Sequence, residues 1–360
     1  MSAPEDIRVP FTVLTGFLGS GKTTTLARCL KAPEFAGTVA IINEFGEIGL
    51  DHLLIETSEE RFALLDNGCV CCTVRDDLVE TLLRLADRAR AGQLPDFRRV
   101  VIETTGFADP APILHALMAE TRLQEIYRID GVLTTVDAVN GGATLKAHVE
   151  AVKQVAVADR LLLTKTDIAE ERDVERLVAQ LVSLNPSASI VFSRSGDAPA
   201  ADLVAIELAA KRGEEIVRWF ERAEHSELRF RADAGCDDSA CSDPRCDHTL
   251  GGISSFSLII EDPVAWAPFK QWLEYLALLK GEDLLRFKAL VHVAEQPERP
   301  VVVHGVQHVF HPPRELDSWP SDDRRTRLVF ITRGVKRSLI EATLSKFAAI
   351  DVARMHRPAA

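Results

Sequence analysis

The chain reads as an α/β protein, with a mostly parallel sheet flanked by helices and a smaller α+β domain after it. Three observations predict this. Over about the first 200 residues, short β-branched runs alternate with amphipathic segments, the order expected when helices cover a parallel sheet. A glycine-rich loop, "GFLGSGKTT", joins the first such run to the first helical segment. After about residue 205 the chain turns charged and irregular, and a second set of strand and helix signals begins beyond it. The expected organisation is therefore 1–208, then a connector at 209–252 holding a Cys/His-containing loop, then a smaller domain at 253–350.

The runs "VPFTVLTG", "TVAIIN", "RRVVIETTG", "GVLTTVDA" (Gly131 to Ala138), "DRLLLTKTD" and "ASIVFS" read as strands in turn. Several are apolar on both faces, as central parallel strands are. Between them, Asp76 to Arg90 sets Leu78, Leu82, Leu85 and Ala89 on one helical stripe. Its acidic start and its Arg88 and Arg90 at the end suit the helix dipole. Glu170 to Leu184 repeats the scheme with Val174, Leu177, Val178 and Leu181, and Asn185-Pro186 ends it. In the last third, "ISSFSLII", "FKQWLEYLALLKG", "LLRFKALVHVA", "RPVVVHGVQHVF" and "RRTRLVFITRG" lead to a final helix from about Lys336 to Phe347.

Composition narrows the function classes. A chain of 360 residues with 46% hydrophobic and 27% charged residues buries a proper core. The net charge of −12 argues against a general role in holding nucleic acid, which needs clustered Lys and Arg on phosphates. The start "MSAPEDIRVP" lacks a basic stretch leading into an apolar run, and no stretch has the roughly 18 consecutive apolar residues of a membrane span. The expected setting is cytoplasmic, without membrane or nucleic-acid partners. Seven cysteines, Cys29 alone and the rest in two clusters, make a poor extracellular disulfide framework.

"GFLGSGKTT" matches G-x-x-x-x-G-K-[ST] at Gly16, Gly21, Lys22 and Thr23. Its glycines let the backbone wrap a phosphate, with N–H groups of Gly19, Ser20, Gly21 and Thr24 turned inward and the helix adding its positive end. Lys22 supplies a cation for the outer phosphates and the Thr23 hydroxyl a ligand for Mg²⁺. Glu103, ending the strand "VVIETTG", is a Walker-B-like carboxylate for the same Mg²⁺, and the Gly106 backbone is placed to sense a γ-phosphate. The expected catalytic set is Lys22, Thr23 and Glu103.

Base choice is read from "LLLTKTD". Asp167 can accept both N1–H and the 2-amino group of guanine, whereas adenine would leave it unpaired. Such a mismatch discriminates by about a hundredfold or more. Lys165 can lay its alkyl stem over the base.

Cys69, Cys71 and Cys72 form C-x-C-C in "NGCVCC". Soft thiolates converging from a tight turn favour Zn²⁺ or Cu(I). The C-x-x-C of Cys69 and Cys72 leaves a redox dithiol as an alternative, and inert buried thiols as another. Upstream, "NEFGEIGLD" (Asn43 to Asp51) adds Glu44 and Glu47 as carboxylate candidates.

Together, "GFLGSGKTT", "NEFGEIGLD", "GCVCC", "ETTG" and "TKTD", in that order, resemble the CobW family of P-loop GTPases, relatives of the nickel-handling proteins HypB and UreG. The first 200 residues or so carry the resemblance, and the C-terminal part is similar to the CobW C-terminal domain. The resemblance implies GTP hydrolysis coupled to binding and delivery of a transition metal, most often Zn²⁺, with Co²⁺ as the alternative. Carried over, the metal site falls on Cys69, Cys71 and Cys72, with Glu47 as an extra ligand. The implied partners are GTP and a client metalloprotein, with a homodimer as an open alternative.

Two departures stand out. Where many members carry a His-rich run, this chain has "CDDSACSDPRCDH". Cys236, Cys241, Cys246 and His248 make either a second zinc site or only an acidic loop. In most P-loop GTPases the first residue of the base-reading motif is Asn, and here it is Thr164. His292, His304, His308 and His311 are expected to be structural. The overall expectation is a GTP-hydrolysing metallochaperone whose GTP-ordered "NEFGEIG" loop controls metal grip. A metal buffer with a structural nucleotide, or a P-loop kinase, are the alternatives. Without an arginine finger of its own, hydrolysis should be slow.

Overall fold

The computed structural model describes residues 7–42, 53–54, 74–193, 203, 252–351 and 355–356. In chain order these form β1 (Val9–Gly16), α1 (Lys22–Cys29), β2 (Thr38–Ile42), β3 (Leu53–Leu54), α2 (Val74–Arg90), β4 (Arg99–Glu103), α3 (Ala111–Ala119), α4 (Thr121–Ile126), β5 (Tyr127–Asp137), α5 (Gly141–Ala147), α6 (Val149–Val157), β6 (Arg160–Thr164), α7 (Glu171–Leu184) and β7 (Ser189–Phe192). There follow β8 (Ile253–Ile260), α8 (Trp266–Lys280), β9 (Leu284–Val291), β10 (Val301–Val306), β11 (Val309–Phe310), β12 (Arg314–Glu315), β13 (Thr326–Arg333), α9 (Arg337–Ala348) and β14 (Met355–His356).

The chain divides into two compact units. One comprises residues 1–140, 158–170 and 190–208; the other comprises 141–157, 171–189 and 209–360, so that α5, α6 and α7 group with the C-terminal sheet.

The first unit holds a sheet in the order β3-β2-β4-β1-β5-β6-β7. β1 runs parallel to both β4 and β5, β2 parallel to β4 and β6 parallel to β5, whereas β3 pairs antiparallel with β2. Strands buried on both faces need apolar side chains at successive positions, and Leu161, Leu162 and Leu163 of β6 are all fully buried. On one face Leu14, Val101, Leu133 and Leu162 pack with Leu26 and Cys29 of α1. Elsewhere Phe11 of β1 meets the Tyr127 ring edge-on, and the Tyr127 hydroxyl donates to the Leu82 carbonyl of α2 at 2.9 Å.

β5 begins at Tyr127 rather than at Gly131 as the hydropathy pattern suggests. Its polar start is paired within the sheet: Val9 to Phe11 lie in register with Tyr127 to Ile129. Buried Asp130 there accepts from the Thr12 hydroxyl at 3.4 Å and lies 3.7 Å from Arg128.

Because the parallel strands point the same way, the carboxyl ends of β1, β4, β5 and β6 sit along one edge, and between β4 and β5 the chain crosses from one side of β1 to the other. Open α/β sheets bind ligands at such a switch point. The expected α/β fold is thus the observed one.

In the second unit the strand order is β11-β10-β9-β13-β8-β14, with β12 on β10; β9, β13 and β8 pair antiparallel. Alternation of side chains puts Phe256, Phe287 and Phe330 on one face. There they meet Phe269, Trp272 and Leu273 of α8 and Ile340 and Leu344 of α9. Burying each large apolar side chain contributes about 1.5 to 3 kcal/mol. Among the described residues no helix is long and apolar enough to cross a membrane.

Candidate nucleotide site

The loop after β1 is shaped by its glycines. At Gly16, φ is +144°, and a Cβ would lie 2.3 Å from the Thr135 hydroxyl oxygen and 2.5 Å from the Thr135 carbonyl, so the close approach to β5 excludes any side chain. Gly21, at φ +91°, makes the left-handed entry to α1, and its carbonyl accepts from Thr25 N–H at 2.9 Å. Ser20 is buried and shares a 2.6 Å hydrogen bond with the Thr135 hydroxyl. The buried Lys22 ammonium donates to the carbonyls of Gly16 at 2.9 Å and Phe17 at 3.1 Å, which hold the cation over the loop.

Facing the start of α1, the Thr23 hydroxyl donates to Glu103 Oε1 at 2.5 Å. Glu103 is 2% exposed. The next residue is fixed to β1 by Thr104 N–H donating to the Leu14 carbonyl and by the Thr104 hydroxyl donating to the Thr15 hydroxyl at 2.8 Å. Gly106 then lies against the phosphate loop, where a Cβ would come within 2.7 Å of the Leu18 nitrogen. A hydroxyl and a carboxylate oxygen side by side are the hard donors that Mg²⁺ takes, so Thr23 and Glu103 fit that ion.

At the end of β6, Thr164 is buried, and its hydroxyl donates to the Ser20 carbonyl at 2.8 Å. The residue that stands in place of Asn thus ties the end of β6 to the phosphate loop. Lys165 adopts φ +59°, and its ammonium sits 2.7 Å from Asp137 Oδ2 at the end of β5. Burial alone would raise the Asp137 carboxyl, but hydrogen bonds from Lys165, Asn140 and two backbone amides outweigh it and hold the group below the usual carboxylate range.

A cleft of about 460 Å³ brings these parts together. It is lined by Leu18, Gly19, Gly21, Lys22, Thr23, Thr24, Glu103, Thr104, Thr105, Gly106 and Lys165. Gly16 and Ser20 belong to the same loop but are not among the lining residues. Asp167 is exposed on the loop after β6 and is not among the lining residues.

Asp137 is the residue that motif reading missed. "VDAVN" carries the signature of a turn capped by its own Asp, and Asp137 Oδ1 does accept from the backbone N–H groups of Val139 and Asn140. Its link to Lys165 spans 28 positions, which no local pattern reveals.

The proposed metal ligands Cys69, Cys71, Cys72 and Glu47, the Asn43 to Asp51 loop with Glu44, and the second cluster of Cys236, Cys241, Cys246 and His248 all lie outside the described residues. Among the described residues no group of three or more His, Cys, Asp or Glu side chains is arranged to hold a metal. Cys29 is buried, and burial pushes its thiol up to about 11 despite an opposing backbone hydrogen bond. In the C-terminal unit, the His308 ring nitrogen Nδ1 lies 2.9 Å from the Ala277 carbonyl at the end of α8. The His292 ring meets Trp319 edge-on, and the His304 and His311 rings lie 6.1 Å apart.

The parallel sheet, the glycine-rich loop at its switch point and the Thr23–Glu103 pair define a P-loop nucleotide-binding protein of the GTPase fold. Residues 10–192 match the family "CobW/HypB/UreG, nucleotide-binding domain", and residues 253–348 match the "Cobalamin synthesis protein cobW C-terminal domain". The chain belongs to the CobW/HypB/UreG family. It is 32% identical to the zinc chaperone YjiA of Escherichia coli over 323 residues, 90% of this chain and 93% of that protein. It is 28% identical to the zinc chaperone CobW of Pseudomonas aeruginosa over 92% of this chain and 90% of that one. The zinc-regulated GTPase metalloprotein activator 1 of Schizosaccharomyces pombe is 28% identical over 76% of this chain and 69% of its own. The crystal structure of Zn(II)-bound YjiA GTPase from E. coli superposes with a TM-score of 0.67 at 29% identity, covering 94% of this chain and 99% of that one.

Proposed function

We propose that the protein is a GTPase metallochaperone, which binds zinc, with cobalt as the alternative cargo, at Cys69, Cys71 and Cys72 with Glu47, and passes it to a client metalloprotein. The observation that carries the reading is the convergence of Lys22, the Thr23–Glu103 pair and Lys165 on one cleft. It does so in a chain so similar along its length to proteins named as zinc chaperones.

In this reading the N–H groups of Gly19 to Thr24 cradle the β- and γ-phosphates, and the Lys22 ammonium offsets charge that builds on the transferring phosphoryl group. Thr23 and Glu103 would hold Mg²⁺, which supplies Lewis-acid neutralisation of the phosphate oxygens. The Gly106 backbone sits beside the γ-phosphate position. Lys165 covers the guanine face and Asp167 pairs with its N1–H and 2-amino group. Water adds to the γ-phosphorus, the bond to the β-phosphate bridging oxygen breaks, and GDP and phosphate leave with the water protons. Among the described residues no arginine lines the cleft. In this reading intrinsic turnover is slow, and a client raises it by supplying a cation. The nucleotide sets the order of the "NEFGEIG" loop and through it the grip of the thiolates.

The test is a competition titration of zinc against a chromogenic chelator with GTP-loaded and GDP-loaded protein. Different affinities are expected, with the reciprocal shift in GTP affinity on adding zinc. Equal affinities, together with zinc binding indifferent to Lys22→Ala, would favour a metal buffer instead. Transfer of the phosphoryl group to a small acceptor rather than to water would identify a kinase. The Cys236, Cys241, Cys246 and His248 cluster is proposed as a second zinc site, tested by the zinc stoichiometry after Cys241→Ser and Cys246→Ser.

A further inference from the structure

Lys165 is held from three directions. On its N-terminal side the Thr164 hydroxyl is bonded to the Ser20 carbonyl at 2.8 Å and lies 3.3 Å from that of Val136. On its C-terminal side the Thr166 hydroxyl donates to the Ser193 carbonyl at 2.8 Å. Between these anchors Lys165 takes φ +59°, a left-handed conformation unusual for a residue with a side chain. The ammonium then reaches Asp137 Oδ2 at 2.7 Å. The carboxylate is itself fixed: Oδ1 accepts from Val139 and Asn140 N–H groups at 2.8 and 3.2 Å, and Oδ2 also accepts from the Asn140 side-chain amide at 2.9 Å. The Asp137 side chain is 11% exposed and that of Lys165 38% exposed, so the anchored partner is the carboxylate and the cleft-lining partner is the lysine.

We infer that Asp137 is a positioning residue for nucleotide recognition, holding the Lys165 ammonium so that the alkyl stem is pre-set as one wall of the purine site. The inference rests on the guanine-site reading of Lys165 given above. A long flexible side chain loses rotamer entropy when it is ordered by a ligand, and a carboxylate that orders it beforehand lowers that cost. Asp137 touches no part of the nucleotide itself in this arrangement; it acts through Lys165.

Asp137→Asn separates this role from support of the turn, because the amide oxygen can still accept from Val139 and Asn140 N–H groups while the charge facing Lys165 is lost. Binding of a fluorescent GDP and of inorganic tripolyphosphate, which has no base, is measured for wild type, Asp137→Asn, Lys165→Ala and the double variant, with thermal melting of each ligand-free protein. Asp137→Asn should weaken GDP about three- to tenfold, leave tripolyphosphate unchanged, and add nothing to Lys165→Ala. Unchanged GDP affinity in Asp137→Asn, additive losses, or equal losses of GDP and tripolyphosphate would overturn the inference while leaving Lys165 in the base site. Unchanged GDP affinity in Lys165→Ala would overturn the base-site reading and this inference with it.

Discussion

The Thr23 hydroxyl donates to Glu103 Oε1 at 2.5 Å, joining the first turn of α1 to the end of β4 across 80 positions of sequence. Two oxygen atoms of the kind a hard cation takes are thereby brought together. Glu103→Gln keeps the shape of the site and removes the charge. Its GTP turnover should fall about a hundredfold or more, with the loss concentrated in the Mg²⁺-dependent part. Phosphate release followed across a Mg²⁺ titration checks this, and Thr23→Ala should behave alike.

Gly106 is where the segment after β4 touches the phosphate loop. An alanine Cβ there would lie 2.4 Å from Leu18 Cδ2 and 2.7 Å from the Leu18 backbone nitrogen. The side chain can turn aside, but the nitrogen belongs to the loop and moves only with it. Gly106→Ala should cost about 1 to 3 kcal/mol in stability. It should also weaken GTP binding about tenfold or more, measured by chemical denaturation and nucleotide titration of the same preparation.

Thr164→Val is nearly isosteric but leaves the buried Ser20 carbonyl without the 2.8 Å bond from the hydroxyl. The expected loss is about 1 kcal/mol of stability. Nucleotide affinity should fall as well, because both loops of the cleft are tied by that contact. Thr164→Ser should restore most of both, which a melting curve with and without GDP will report.

A pH dependence is expected from the C-terminal unit. Asp323 accepts from Arg325 Nη2 at 2.7 Å and also from Arg327, and these bonds, led by that of Arg325, hold its carboxyl far below the usual range against the opposing effect of burial. A carboxyl depressed in the folded state stabilises the protein above its unfolded value of about 3.9, and the contribution fades as pH falls below that. Partial exposure of Arg325 screens the pair, so Asp323→Asn should cost about 1 kcal/mol at pH 7. Denaturation at pH 7 and pH 3 should show the gap between wild type and variant narrowing in acid.

The nucleotide cleft and the strand ladder were legible in the chain to different degrees. The run from Val9 to Thr24 carries its own explanation, since an apolar strand, spaced glycines and a Lys-Thr pair at a helix start are local requirements of phosphate binding. Likewise Leu161, Leu162 and Leu163 announce a strand buried on both faces. The start of β5 is hidden in its hydropathy because Arg128 and Asp130 break the apolar pattern, and only tertiary contacts such as that of Asp130 with Thr12 make them acceptable inside the sheet.

The sequence by itself determined the phosphate loop, the order of the strands along the chain and the family resemblance, because each depends on residues a few positions apart whose chemistry is fixed by backbone geometry. Tertiary structure alone decided that Thr135 forces glycine at position 16, that Thr164 holds the Ser20 carbonyl, and that Asp137 takes the Lys165 ammonium. Those partners lie on different strands or in the loops that follow them. Their meeting follows from the registers of β1, β5 and β6, where Gly16 lies opposite Thr135 and Asp137 opposite Thr164, and register is a property of the packed sheet rather than of any one strand.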